Sequence, residues 1–420
     1  MAKKLHVYLN QNLAGLLVQN DGGQLEFTYL PDYVSYSEAI PLSHSLPLRP
    51  EMFVAKECRG FFSGILPEET NRDIIAKNLG ITAKNDYSML KEIGGECAGA
   101  VTFLSEEAEP NPLDYSYRHL NELELVNVIN QLPQRPLLAG EENVRLSLAG
   151  AQVKLTVLVD GDKIAIPLQD APSTHILKPA SAYFEGLVYN EAFCMMLADL
   201  CGLPTAKVEV RIAGKDEFLL IERYDRKEFI GELPSKEFRF KERLHQEDFC
   251  QALGILSQHK YQKEGGPSLK DCFNLVSETS RIPLLDRQRL LDAVIFNFLI
   301  GNNDAHGKNF SYTYHFKGGV IEARLAPLYD LVCTAFYPNL DRNMAMKIGG
   351  ESLMSKINLK KFEKFAVEAF LSKPQVKNRV QHLAQIVLDT IPTVPLNHPV
   401  AVGVGNWIKD HCLEVLDWSY

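Results

Sequence analysis

The chain has 420 residues, 46% apolar and 23% charged, enough for two or three globular domains with cores of their own. A formal net charge of −9 excludes a protein that coats nucleic acid unaided, because phosphate binding requires cations; a local basic face stays open. No run approaches 18 uninterrupted apolar residues, so no membrane span is expected.

In chain order, "LHVYLN" (5–10), "LAGLLVQ" (13–19) and "LEFTYL" (25–30) alternate in the strand manner, with "NDGG" at 20–23 as a turn. "GILPEETNRDIIAKNLG" (64–80) reads as a short helix, with Thr70 or Asn71 as N-cap and Gly80 as the stop. The acidic, proline-bearing "SEEAEPNPLDYS" (105–116) suits a connector, so residues 1–110 are expected as an N-terminal domain and 111–143 as linking chain. "LTVLV" and "KIAIPL" then flank an Asp-Gly turn, a strong hairpin signal, and "STHILKP" follows as a third strand. "GLVYNEAFCMMLADLCGL" is a helix closed by Gly202, and "AKVEVRI" and "EFLLIERYD" form a second hairpin across "AGKD". Residues 144–225 are thus expected as a five-stranded sheet with one helix inserted, and 226–420 as a helical lobe. That lobe is read from "QEDFCQALGILSQ", "RQRLLDAVIFNFLI", "LKKFEKFAVEAFLS" and "VKNRVQHLAQIVLDTI".

The eight cysteines (58, 97, 194, 201, 250, 272, 333 and 412) form no CxxC pair and lie mostly in apolar runs, as reduced, buried thiols do. The opening "MAKKLHVYLNQNLAG" has no apolar stretch of signal-peptide length. A cytoplasmic protein is expected.

The fold class expected is α+β: an N-terminal α/β domain plus a core in which a mixed β-sheet lobe precedes an all-helical lobe. This is the layout of the protein-kinase fold, and layout alone does not fix function. The chemistry-bearing stretch is "GNNDAHGKNF" (301–310), which ends an apolar helix. Phosphoryl transfer needs a carboxylate near the attacking hydroxyl, a donor near the γ-phosphate and an oxygen ligand for magnesium. Asp304 and Asn309 have the D-x-x-x-x-N spacing of a kinase catalytic loop, and His306 and Lys308 lie between them as donors. A second metal carboxylate is Asp330 in "LAPLYDLV", 21 residues on, although "YDL" replaces the Asp-Phe-Gly of ordinary kinases.

Upstream, Lys178 ends the third strand, where kinases place the lysine that pairs the α- and β-phosphates. Its ion-pair partner is Glu191 or, alternatively, Glu185. "SLAGAQVK" (147–154) precedes the hairpin where a phosphate-covering loop belongs. It has Gly150 alone where such a loop has three glycines, with Ala149 and Ala151 small enough for backbone approach and Lys154 adding charge. "IERYD" (221–225) lies at the expected lobe junction, with Glu222 and Tyr224 as neighbours of the adenine edge. Each feature alone has a plain structural reading as a loop, a turn acid or a solvated lysine. Their order and their agreement with the expected elements carry the kinase reading.

Through "VRLSLAGAQVK", "THILKP", "ERYDR", "NNDAHGKNFS" and "PLYDLV", together with "GILPE" near the start, the sequence resembles the HipA kinases, toxin members of bacterial toxin–antitoxin pairs. The resemblance covers nearly the whole chain. It implies ATP- and Mg2+-dependent serine/threonine phosphorylation with Asp304 as catalytic base. It further implies that His306, Gly307, Lys308 and Asn309 form the nucleotide and magnesium loop, with Asp330 as second metal ligand beside Tyr329. Lys178 is implied as the phosphate-pairing lysine, Glu222, Arg223 and Tyr224 as the adenine hinge, and Ala149, Gly150, Ala151, Gln152, Val153 and Lys154 as the phosphate loop. Ser147 matches the serine that such kinases phosphorylate on themselves, which ejects the loop and shuts off ATP binding.

The family also implies a small helix-turn-helix antitoxin of the HipB type, joint repression of an operator DNA, and growth arrest through a protein substrate such as glutamyl-tRNA synthetase. The basic stretches 356–365 and 373–382 are candidates for touching that DNA, against the plainer reading of solvated helix faces. On the residues alone, three other readings stay open: a metal-dependent nuclease built on "NNDAHGKN", a kinase-like scaffold without phosphotransfer, and a small-molecule kinase.

Overall fold

The computed structural model describes residues 3–110, 115–233, 236–317 and 320–418; positions 111–114 of the expected connector lie outside the described residues. The chain divides into two compact units. The first comprises Met1–Pro179, Arg211–Gln258 and Thr313–Glu322, and the second Ala180–Val210, His259–Tyr312 and Ala323–Tyr420.

Two sheets organise the first unit. Strands β1 (Lys3–Leu9), β2 (Asn12–Gln19), β3 (Leu25–Tyr29) and β4 (Val101–Leu104) form one in the order β3-β2-β1-β4. Period-two alternation is clear in β3, where Leu25, Phe27 and Tyr29 are buried and Glu26 and Thr28 half-buried. That face continues a core through Phe53, Phe61, Phe62 and Phe103. The second sheet takes β5 (Tyr117–Leu120), β6 (Leu155–Asp160), β7 (Lys163–Pro167), β8 (His175–Pro179), β9 (Val208–Ala213) and β10 (Asp216–Glu222) in the order β5-β7-β6-β8-β10-β9. The expected hairpin is β6–β7, pairing Asp160 with Lys163 across Gly161 at φ +59°. A sixth strand joins the expected five. It is β5, from the stretch read as connector, an edge strand whose outward residues are solvated and so give no apolar alternation.

Helix ends differ from expectation in informative ways. The helix Glu69–Leu79 stops at Gly80 in the left-handed conformation, as expected, but its N-cap is Glu68 rather than Thr70 or Asn71. The helix expected over "QEDFCQALGILSQ" is a strand, His245–Asp248, then a single turn, Phe249–Ala252. Asp248 and Gln251 cap that turn reciprocally, and Gly254 at φ +68° ends it. Arg226–Leu233 and Lys236–Arg243 form a two-stranded ladder, pairing Arg226 with Arg243, in a stretch assigned to the helical lobe.

The second unit is mainly helical. Leu187–Leu200, Leu269–Thr279, Pro283–Leu299, Leu359–Glu368, Lys373–Thr390 and Pro399–Leu416 are its longest helices. Lys373–Thr390 buries Val376, Val380, Leu383, Ala384 and Val387, the i, i+4, i+7 stripe of a helix on a core. Leu187–Leu200 is apolar nearly all round and is buried on most of its surface. All eight cysteines are free and seven are buried, with burial raising the Cys58 thiol to about 12. Among the described residues no helix is long and apolar enough to cross a membrane.

Candidate active site

The helix Pro283–Leu299 delivers the loop. At its end Gly301 adopts φ +70°, and a Cβ there would lie 2.5 Å from the Trp407 ring, so glycine alone fits this exit. Four hydrogen bonds of asparagine and threonine side chains then fix the chain. Asn302 Nδ2 donates to Asn297 Oδ1 at 2.8 Å, and Asn302 Oδ1 accepts from the Asp304 amide at 3.2 Å. Thr334 Oγ1 accepts from the Asn303 amide at 2.8 Å and donates to the Gly301 carbonyl at 3.0 Å. Side chains thus satisfy part of the buried loop backbone, and the Ala345 amide adds a bond to the Asn303 carbonyl at 2.7 Å.

On this support Asp304 is exposed, while His306, Lys308 and Asn309 are buried. Tyr261 OH donates to Asp304 Oδ1 at 2.8 Å, and the Tyr261 ring meets His306 edge-on at 5.3 Å. Asn309 Nδ2 donates to Asp330 Oδ2 at 3.0 Å, which brings together the two residues the spacing nominated as metal ligands. Asn309 Oδ1 is buried and has no hydrogen-bond partner. An orphaned buried oxygen beside a carboxylate is costly unless something outside the chain uses it, and two hard oxygen donors suit Mg2+. Among the described residues no cluster of three His, Cys, Asp or Glu offers a rival metal site.

Asp330 is held from both sides. Before it, the Leu328 amide donates to the Pro204 carbonyl and the Ala206 amide to the Leu328 carbonyl, at 2.8 and 2.9 Å. Tyr329 OH donates to the Lys308 carbonyl and pairs with Ser311 Oγ, both at 2.6 Å. Tyr329, expected at the nucleotide, therefore binds the Asp330 segment to the catalytic loop through its hydroxyl. After it, Asn190 exchanges two hydrogen bonds with the Cys333 backbone, at 3.0 and 2.8 Å. Asp330 itself sits at φ +57°.

In the first unit, Lys178 lies in β8 opposite Leu219 and is 4% exposed. In the second, Glu191 is 1% exposed within its helix, whereas Glu185 is exposed ahead of it. The 147–154 loop is seated on residues 65–71 and 96. The Ser147 hydroxyl donates to the Ile65 carbonyl at 3.0 Å and its amide to the Glu96 carbonyl at 2.8 Å. Gly150 pairs with Pro67 and takes φ +107°, and Asn71 Nδ2 donates to the Ala151 carbonyl at 2.7 Å. Lys154 Nζ folds back onto the Ala149 carbonyl at 2.8 Å.

The hinge segment is anchored at Arg223. Its amide donates to the Thr174 carbonyl, and its guanidinium is buried against Asp225, Glu96 and Ser173. Arg223 belongs to a buried cluster in which Arg226 and Arg243 also bond Glu96, each at 2.7 Å. Burial alone would raise the Glu96 carboxyl; the guanidinium groups of Arg226, Arg243 and Arg223 outweigh it and hold it well below the carboxylate range. Glu222 is exposed at the end of β10, and Tyr224 OH donates to Gln246 Oε1. Sequence reasoning missed Glu96 and Tyr261, and nothing in their local patterns marks them.

The family model described as "HipA-like C-terminal domain" matches residues 146–391, and "HipA N-terminal domain" matches residues 5–104. The chain belongs to the HipA family. It is 43% identical to a putative kinase of Sinorhizobium fredii over 93% of this chain and 91% of that one. It is 30% identical to the serine/threonine-protein kinase toxin HipA of Shewanella oneidensis over 82% of this chain and 79% of that one. A solved complex of Shewanella oneidensis HipA, HipB and operator DNA matches with a TM-score of 0.82 at 26% identity, covering 98% and 96% of the two chains. The protein is therefore a HipA-like kinase, which sets the nuclease reading aside.

Proposed function

We propose that this HipA-family protein is an ATP- and Mg2+-dependent serine/threonine protein kinase that acts as a cytoplasmic toxin within a toxin–antitoxin pair. The observation that carries the reading is the Asn309–Asp330 pair with its orphaned amide oxygen, together with an exposed Asp304 on the same loop. Asn309 and Asp330 would hold Mg2+, whose charge offsets that gathering on the phosphate oxygens during transfer. Asp304 orients the acceptor hydroxyl and takes its proton late. Lys178 and the backbone of Ala149–Lys154 bind the nucleotide phosphates, with His306, Gly307 and Lys308 as further donors. Glu222 and Tyr224 neighbour the adenine. Positioning and electrostatic stabilisation supply most of the acceleration, because the transition state is largely dissociative.

Ser147 is the proposed autophosphorylation site. Its hydroxyl is fully buried and donating, and a phosphate of roughly −1.5 to −2 charge cannot donate to the Ile65 carbonyl. The modified loop must leave residues 65–71 and 96, which removes the phosphate-binding backbone. The partners proposed are a HipB-type helix-turn-helix antitoxin and, through that complex, operator DNA, as in the solved Shewanella assembly. Three basic side chains at 356–382 are paired within the chain, Lys361 with Glu351, Lys364 with Glu368 and Arg379 with Asp292. The protein substrate proposed for first assay is a glutamyl-tRNA synthetase.

The test incubates purified wild type and Asp304→Ala with Mg-ATP and measures intact mass. One phosphate mapped to Ser147 in wild type alone is the expected outcome. ATP binding without any phosphate would favour a kinase-like scaffold, and failure to bind ATP would overturn the reading.

A further inference from the structure

We infer that Glu96 is a positioning residue that couples the seating of the Ser147 loop to the 223–243 segment, so that loosening the guanidinium groups around its carboxylate releases Ser147 for phosphorylation. The inference rests on the Ser147 reading above, and every residue in it belongs to the first unit. Glu96 meets the loop through its backbone. Its amide donates to the Arg145 carbonyl and its carbonyl accepts from the Ser147 amide, both at 2.8 Å, in a parallel bridge of Glu96 with Leu146. It meets the other segment through its carboxylate. Oε1 accepts from Arg223 Nη1 at 3.1 Å, Arg226 Nη2 at 2.7 Å, and the Ser173 amide and hydroxyl at 3.0 and 2.8 Å. Oε2 takes both prongs of Arg243, Nε at 2.9 Å and Nη2 at 2.7 Å. One fully buried residue therefore joins the loop proposed to cover the phosphates to the segment proposed to neighbour the adenine.

The chemistry of the clamp suits positioning. A buried ion network adds little net stability, because desolvation offsets the attraction, yet loss of one member leaves an uncompensated buried charge. Arg223, Arg226 and Arg243 share the carboxylates of Glu96 and Asp225. Arg226 Nε is buried with no hydrogen-bond partner among the described residues. A network satisfied only in part leans on each bond it does make, since an unpaired polar group in low dielectric is costly. Arg226 and Arg243 are also the paired ends of the ladder Arg226–Leu233 and Lys236–Arg243, which joins no other sheet among the described residues. A lone two-stranded ladder is marginal in water, so the clamp at its base fixes where it stands. A shift of that base moves the Glu96 carboxylate, and with it the carbonyl that receives the Ser147 amide.

The experiment compares full-length wild type, Arg243→Lys, Arg226→Lys and Leu17→Ala. It follows Ser147 phosphorylation by intact mass in Mg-ATP, and amide hydrogen exchange over residues 145–150 without nucleotide. Each lysine keeps the positive charge and loses the planar fork that grips Glu96. Leu17, fully buried in β2, serves as a destabilising control in the other sheet. Both lysine variants should exchange 145–150 faster and gain Ser147 phosphate on the order of tenfold faster than wild type, the scale of one hydrogen bond to a charged group. Leu17→Ala should lower the melting temperature and leave both rates unchanged. If Leu17→Ala is as fast as the lysine variants, the effect is general loosening and the inference is overturned. If wild type takes phosphate on Ser147 and both lysine variants match it in rate and exchange, the kinase reading stands and this inference falls. A wild type that binds ATP but never carries phosphate on Ser147 sinks the autophosphorylation reading instead, and exchange over 145–150 still decides the coupling.

Discussion

Asp330 pays for its position in backbone strain: φ +57° costs a residue other than glycine or asparagine about 1–3 kcal/mol. The cost is borne because Tyr329, Asn190 and the 204–206 segment over-determine the chain around it. Asp330→Asn separates charge from conformation, since asparagine tolerates the left-handed region and keeps the side-chain shape. Phosphotransfer should fall on the order of 10²–10³-fold, the scale of losing one electrostatic group in an active site, while the melting temperature holds or rises slightly. Single-turnover kinetics beside a thermal scan checks both. Ser147 divides in the same way. Ser147→Ala leaves the Ile65 carbonyl unpaired and should cost about 1–3 kcal/mol of stability with ATP binding retained. Ser147→Asp puts a carboxylate against that carbonyl, so calorimetry should find ATP affinity reduced tenfold or more.

At the scale of elements, local signals were legible and long-range ones were not. Gly80 was readable as a helix stop because only glycine takes its left-handed conformation cheaply, and that requirement is local. The N-cap of the same helix was misplaced because Glu68 takes that position without a side-chain cap bond, so no capping residue marks it; Asn71 Nδ2 instead donates to the Ala151 carbonyl, 80 residues away in sequence. Asp304 and Asn309 could be nominated because a kinase catalytic loop has fixed spacing, and Asp330, nominated from "LAPLYDLV", does meet Asn309. Tyr261, Asn303 and Thr334 meet the loop only through tertiary folding and leave no pattern. The bond from Arg223 to Glu96 was not legible because the two lie 127 positions apart. The Asn71 contact carries a prediction of its own: Asn71→Ala removes one tether of the 147–154 loop and should cost about 1 kcal/mol of stability. It should also speed Ser147 phosphorylation several-fold, read as a mass time course, because that reaction requires the loop to leave its seat.

At the scale of the whole molecule, two buried groups titrate in opposition within the first unit. Burial lifts the Glu247 carboxyl to about 7, while its donors, Ser43 Oγ, Tyr314 OH and the His44 amide, pull it back only in part and nearby Asp248 pushes it further up. Burial lowers the His245 imidazole to about 4, with the Leu42 carbonyl and Asp225 acting the other way; its ring stacks on Tyr314 at 5.5 Å. Between the ordinary carboxyl value of about 4.5 and about 7, the folded chain holds a proton on Glu247 that the unfolded chain has lost. Stability therefore falls as pH rises through that window. His245 does the reverse: between about 4 and 6.5 the unfolded chain binds the extra proton, so stability rises with pH. The windows overlap, and the two slopes largely cancel. Glu247→Gln keeps a donor and an acceptor among the same neighbours and removes one slope. Relative to wild type, the variant should gain stability as pH rises from about 5 to 7.5, by up to about 1.4 kcal/mol per pH unit inside the window. Urea midpoints for both proteins at the two pH values check it. A difference that does not change with pH would mean that the donors outweigh burial and that Glu247 stays ionised in the folded chain throughout.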